Sequence, residues 1–242
     1  MSSSSSSSDV KSMATTSGSS PSRGDTMKGA NAIAKATAGV GVTRSNAIDE
    51  IMHKAIAEKV FPGGVVACGR VGSGGGQSYI RAFGTYTFES NVPVTTESIF
   101  DVASLTKILA TATAILLLQD RGLLSVEDRV CSHLPEFSAN GKGDVTIRHL
   151  LTHSAGLKEW YNFKSMGLET KQKVADFVLK EKPLYSVGTE YRYSDLSMIA
   201  LGLIVEKVSE CSLDTFVKEN IFMPLGMEST GYRGIDSSAF DW

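Results

Sequence analysis

Ser104-Leu105-Thr106-Lys107 places a hydroxyl and an amine three residues apart, at the head of a segment in which no residue from Ile108 to Gln119 carries a charge. On a helix, positions i and i+3 share a face, so the amine reaches the hydroxyl oxygen. A helix that runs uncharged is expected to be buried nearly all round, which leaves the Lys107 ammonium poorly solvated. Desolvation favours the neutral amine, and a neutral amine beside Ser104 serves as a base. Ser104 also stands at the helix entrance, where unpaired backbone N–H groups and the positive end of the helix dipole favour a developing oxyanion. Together these features describe an activated serine nucleophile. The spacing alone leaves a plainer alternative open, with Ser104 as a helix cap and Lys107 as a solvated first-turn residue. Ser8 and Lys11 have the same spacing in a serine-rich segment where no chemistry is expected.

Three further groups carry chemistry. Tyr193 lies in Tyr191-Arg192-Tyr193-Ser194-Asp195, just ahead of a helical pattern that Asp195 is placed to cap. A free phenol has a pKa of about 10, so Tyr193 acts as a base only where a cation such as Lys107 stabilises the phenolate. Read by itself, it is a half-buried tyrosine at the corner between a strand and a helix. His149 and His153 are spaced i, i+4. No Glu follows His149 and no third ligand stands nearby, so a structural or loop-orienting role is favoured over zinc. A Ser-His-Asp triad stays open, although no Gly-x-Ser-x-Gly elbow supports one.

The elements that must position these groups follow from periodicity. A helix is expected over 46–60, with Ile48, Ile51, Met52, Ala55 and Ile56 on its apolar face, stopped by Pro62-Gly63-Gly64. Residues 65–71 and 78–83 read as two strands joined by the glycine-rich loop 72–76, which lacks the Gly-Lys-Ser/Thr ending of a phosphate cradle. The buried helix is expected over 104–121, with Gly122 as its stop. After the polar stretch 138–143, helical segments follow at 147–152, 174–179, 196–208 and 213–221, the last ended by Pro224. Two strands followed by several helices indicate an α+β or α/β architecture, an antiparallel sheet with a helical region.

Composition narrows the function. With 242 residues and 42% hydrophobic content the chain builds a sizeable core. The longest uncharged apolar run, 108–118, falls short of the roughly 20 residues that a spanning helix needs, so no membrane span is expected. A net charge of -2 gives no electrostatic case for nucleic acid or an anionic membrane surface, and small neutral substrates remain open. Cys68, Cys131 and Cys211 are widely spaced, which favours free thiols over a disulfide or zinc site; Cys68, in an apolar run, is expected to be buried. Residues 1–44 are expected to form a disordered Ser-rich tail. Its basic residues Lys11, Arg23, Lys28, Lys35 and Arg44 outnumber Asp9 and Asp25, which is compatible with organellar targeting or with a plain flexible extension. Residues 45–242 form the candidate domain.

Several blocks then recur in order. Phe100-Asp101-Val102-Ala103-Ser104-Leu105-Thr106-Lys107 resembles the nucleophile box of the serine β-lactamase and penicillin-binding-protein superfamily, in its class C-like branch of esterases and D-amino-acid peptidases. Gly122 to Asp128, Leu134-Pro135-Glu136-Phe137 and Ile147 to Leu157 resemble the segments that follow it. Tyr193-Ser194-Asp195 resembles the Tyr-x-Asn box, and Pro224-Leu225-Gly226-Met227 the downstream turn. The resemblance implies a β-lactamase/transpeptidase-like fold and hydrolysis of a small-molecule ester or amide without a cofactor. In that chemistry Ser104 forms a covalent acyl-enzyme while Lys107 and Tyr193 move the proton. Asp195 stands at the substrate-binding position where the family usually has Asn; an ionised carboxylate only accepts hydrogen bonds and is placed to pair with Lys107 and keep it charged. The family's third box, a Lys-Thr-Gly or His-x-Gly strand, has no counterpart before Trp242. The chain is therefore expected to be incomplete before the C-terminal strands, with exposed core surface that favours self-association. The alternative function is a catalytically inactive truncated form that acts by binding a partner.

Overall fold

A computed structural model of the chain describes residues 42–69 and 78–233. These fall into two compact units divided between Ser98 and Ile99. Most of the expected Ser-rich tail and the glycine-rich loop 72–76 lie outside the described residues.

In the first unit, helix α1 (Val42–Ala57) precedes strands β1 (Gly63–Gly69) and β2 (Ser78–Gly84). The helix begins inside the segment assigned to the tail. The strands pair antiparallel from Gly63 opposite Gly84 to Gly69 opposite Ser78. Alternation puts Tyr79 and Phe83 of β2 in the interior. Tyr79 and Arg81 both bond the Asp49 carboxylate on α1, and the His53 ring meets Phe83 edge-on at 5.4 Å. The apolar face of α1 is narrower than its periodicity predicts. Ile48, Met52, Ala55 and Ile56 are partly buried, whereas Ile51, at the edge of that stripe, is exposed. Cys68 is also exposed, contrary to expectation: it pairs with the buried Tyr79, but it lies in the last three residues of β1, Ala67 to Gly69, which are all exposed, so an apolar run does not by itself ensure burial at a strand end. Gly84 is fixed by close approach, since a β-carbon on it would lie 2.1 Å from the Pro62 carbonyl oxygen.

The second unit is helical. A π-helical turn (Lys107–Ala112) runs directly into α2 (Thr113–Asp120), and Gly122, at φ +70°, follows the helix end. Short α3 (Val130–His133), a 3₁₀ segment (Pro135–Gly141) and α4 (Ile147–Leu151) lead to α5 (Lys171–Lys180) and α6 (Asp195–Ser209). The last helix, α7 (Leu213–Val217), passes into a second π-helical turn (Lys218–Phe222). α6 packs against α2, α4, α5, α7 and the first π turn, which makes it the axis of this unit. Ile115, Leu118, Phe137, Leu150, Leu201 and Ile204 are fully buried around it, each contributing about 1.5–3 kcal/mol of burial.

Two expectations change here. The uncharged stretch after Lys107 is not buried all round: Leu105, Ile108, Leu109 and Leu116 form an exposed apolar stripe, and Ile108 is 65% exposed. Absence of charge sets what a helix is able to bury, and does not supply a layer to bury it against. Within the polar stretch 138–143, Lys142 is fully buried. Its ammonium donates to the carbonyls of Ala139 and Glu181 and stands 5.0 Å from the centre of the Phe137 ring.

Candidate active site

The nucleophile candidate sits on a constrained turn. Ala103 has φ +43°, unusual for a residue with a β-carbon, and its N–H donates to Asp101 Oδ1 at 2.7 Å. The N–H groups of Leu105, Thr106 and Lys107 donate to the carbonyls of Val102, Ala103 and Ser104, a tight winding that leads Ser104 into the helix. The helix then widens into its π turn, where Thr113 Oγ1 donates to the Ile108 carbonyl at 2.7 Å.

One turn on from Ser104, Lys107 Nζ donates to Ser104 Oγ at 3.1 Å and pairs with Asp195 Oδ1 at 2.8 Å. It lies 4.8 Å from the centre of the Tyr193 ring. The four residues that the sequence singles out are therefore gathered at one place. The direction of the Lys107 shift differs from the expectation of a neutral base. Desolvation pulls its pKa down, but hydrogen bonds with Asp195 and Tyr193 and their negative charge push it above the ordinary lysine value. Lys107 is held as a cation. Tyr193 moves the other way: hydrogen bonds with Lys107 and Ser104 and the Lys107 charge lower its phenol, against desolvation and the Asp195 charge. The group poised to accept a proton is the phenol.

Tyr193 is 41% exposed and follows an irregular segment, not a strand, before α6. The cap of α6 is Ser194, not Asp195: Ser194 Oγ accepts from the Ser197 N–H at 3.2 Å and donates to the Lys158 carbonyl at 2.6 Å. Asp195 is the first helical residue, its N–H bonded to the Glu159 carbonyl at 2.7 Å, which frees its carboxylate for Lys107. Arg192 pairs with Glu159 at 3.0 Å and ties the same two segments together.

The two histidines separate. His149 closes the cap of α4, its Nδ1 accepting from the Thr146 N–H at 3.1 Å. His153 lies past the helix at φ +55°, is 8% exposed, and stacks against Tyr193 with ring centres 4.7 Å apart. Its Nδ1 accepts from the Ser194 N–H at 3.1 Å. Spacing on one helix face did not predict this neighbour, because the contact spans 41 residues and depends on the turn after α4. Among the described residues no group of three or more His, Cys, Asp or Glu side chains is arranged to hold a metal ion.

Gly156 fixes the close approach of the backbone from Pro183 to Tyr185. At φ +84°, a β-carbon on it would lie 2.5 Å from the Tyr185 carbonyl oxygen, and its own carbonyl accepts from the Leu184 N–H at 2.7 Å. Gly156→Ala is expected to destabilise the protein by about 2–5 kcal/mol, combining left-handed strain with a backbone clash. Urea unfolding monitored by circular dichroism checks this.

Beside Lys107 and Asp195 opens a cavity of about 440 Å³, with Val174, Met198, Ile199 and Leu203 among its apolar walls and the Lys171–Glu206 ion pair at its rim.

A family model described as Beta-lactamase matches residues 46–238. Penicillin-binding protein 4* of Bacillus subtilis (strain 168) is 34% identical over 189 residues, covering 75% of this chain and 40% of that protein. Esterase EstB of Burkholderia gladioli is 31% identical over 211 residues, covering 80% of this chain and 53% of the esterase. A solved class C beta-lactamase superposes with a TM-score of 0.69 at 24% identity, over 79% of this chain and 52% of that one, a likeness of fold. The chain spans about half the length, or less, of the relatives it matches. Its fold is that of the β-lactamase and transpeptidase group, with helices and a small antiparallel sheet among the described residues, and its relatives are hydrolases. On the match across most of its length, the chain belongs to the β-lactamase family.

Proposed function

We propose that Ser104 is the nucleophile of a serine hydrolase that cleaves a small ester or amide through an acyl-serine intermediate. The observation that carries this reading is the Lys107 Nζ to Ser104 Oγ hydrogen bond of 3.1 Å beside a phenol of lowered pKa. Because Lys107 donates to Ser104 Oγ, the serine proton is left free to pass to Tyr193. In acylation the Tyr193 phenolate takes that proton while Oγ bonds to the substrate carbonyl carbon. The tetrahedral intermediate then expels the alcohol or amine, which leaves with the proton from Tyr193. In deacylation a water molecule gives its proton to Tyr193 and attacks the acyl carbon, and the tetrahedral intermediate then expels Ser104 Oγ, which takes the proton back from Tyr193 as the acid leaves. Lys107 stays charged throughout and stabilises the phenolate. The apolar cavity beside Lys107 and Asp195 suits the uncharged part of a substrate.

Mixing the protein with a short-chain nitrophenyl ester tests this. A burst of nitrophenol matching the protein concentration, followed by slower turnover, is the expected result; release linear from time zero and unchanged in Ser104→Ala contradicts it.

Asp195 sets the working pH in this scheme. The ascending limb of the profile of kcat/KM follows loss of the Tyr193 proton, and the descending limb follows loss of the Lys107 proton. The Asp195 charge raises both pKa values. Asp195→Asn removes that charge, so both limbs are expected to move to lower pH. A shift to higher pH refutes this assignment.

A further inference from the structure

We infer that His153 is a positioning residue whose unprotonated Nδ1 and backbone carbonyl together grip the turn that presents Tyr193 and Asp195 to Lys107. This rests on the reading of Tyr193 as proton acceptor, and names what holds that phenol in place.

The chain N–H groups on either side of Tyr193 both end on His153. The Arg192 N–H donates to the His153 carbonyl at 2.9 Å, and the Ser194 N–H donates to its ring Nδ1 at 3.1 Å. Between these two anchors the Tyr193 ring lies against the imidazole, tilted 43° at 4.7 Å, and the Tyr191 ring meets it edge-on at 6.1 Å. A single residue, through its carbonyl and its ring, thus fixes backbone and ring of the phenol that faces Lys107. The left-handed conformation of His153, at φ +55°, turns carbonyl and ring toward the same segment and is a strained state for a residue with a β-carbon.

The grip demands one protonation state. An N–H donating to Nδ1 requires a lone pair there, so the neutral ring carries its hydrogen on Nε2. An imidazolium has N–H at both positions and repels the Ser194 N–H. The groups facing the ring are Lys107 from the π turn, Asp195 from α6, and the phenols of Tyr191 and Tyr193. Burial and the Lys107 charge lower the His153 pKa, and the Asp195 charge opposes them in part. The acceptor form is thereby preserved below the ordinary imidazole range, and protonation at still lower pH releases the turn.

Two substitutions separate the roles of the ring. His153→Phe keeps the ring volume and loses the acceptor. His153→Asn places an amide oxygen near the Nδ1 position and tolerates the left-handed backbone. The readout is nuclear magnetic resonance of protein labelled at the tyrosine ζ carbon, which follows the Tyr193 phenol without requiring turnover. With the turn held, Tyr193 titrates below its ordinary value. In His153→Phe that titration is expected to return toward the ordinary value, with kcat reduced at least about tenfold and KM little changed, as for loss of a group acting only in the transition state. His153→Asn is expected to restore the low titration and most of kcat. A folded His153→Phe in which Tyr193 still titrates low, or a His153→Asn no better than His153→Phe, overturns the inference. So does a ¹⁵N spectrum of the unmodified protein showing the hydrogen on Nδ1, a measurement that needs no variant to fold. If the inference holds and no Ser104 adduct forms, the fault lies with the hydrolase reading and not with the grip.

Discussion

Ser104→Ala is expected to lower acyl transfer by about 10⁴- to 10⁶-fold, the scale seen when a serine hydrolase loses its nucleophile. No other serine or threonine hydroxyl receives a hydrogen bond from Lys107 among the described residues, so no neighbouring serine stands ready to substitute. The fold should survive. Ser104 is exposed, its oxygen accepts one hydrogen bond from a lysine that keeps Asp195 as partner, and alanine favours the helix that follows. Steady-state hydrolysis of a nitrophenyl ester, with the thermal midpoint recorded alongside, checks both halves of the expectation.

Lys107→Met is expected to cost about 10³-fold in kcat/KM at neutral pH, within the range for losing a fixed charge or a proton-transfer partner. Its dependence on pH is the sharper test. The hydrogen bond with Lys107 does most to lower the Tyr193 pKa, so without it the phenol moves back up and the phenolate fraction at neutral pH falls. Residual activity in the variant should therefore climb with pH toward the ordinary tyrosine value. A variant equally inactive at all pH values indicates that the lysine itself takes the serine proton. The partner left behind is not a severe burden, because the Asp195 side chain is 47% exposed and water solvates the unpaired carboxylate. A large fall in thermal midpoint would contradict that part of the account.

The sequence reads the local parts of this site and misses the parts that depend on distant neighbours. Ser104 and Lys107 are one turn apart, so their contact follows from helix periodicity before any packing is known. The charge state of Lys107 does not follow from the helix pattern, which by itself points to a neutral amine; the cation is legible only through the Asp195 that stands at the family's usual Asn position, and Asp195 and Tyr193 outweigh the desolvation. The cap of α6 was open to misreading for a different reason. Ser194 and Asp195 are adjacent and both are good N-cap residues; the Ser194 hydroxyl is fixed by the Lys158 carbonyl, and only folding brings that carbonyl near. His153 gives no local signal of its role at all. Its spacing from His149 points to a shared helix face, but the chain leaves the helix at Thr152 and turns left-handed at His153. The exposed stripe of Leu105, Ile108 and Leu116 shows the same limit in the apolar residues, where pattern names a face and the fold decides whether anything covers it.

Whether Ser104 is the activated hydroxyl of this chain is read out by fluorophosphonate labelling. The reagent traps a reactive serine without requiring the correct substrate, and digestion with mass spectrometry of the peptides locates the adduct. One adduct is expected, on Ser104, formed more slowly in Lys107→Met and absent in Ser104→Ala. An adduct on another serine, or one that persists undiminished in folded Ser104→Ala, would contradict it.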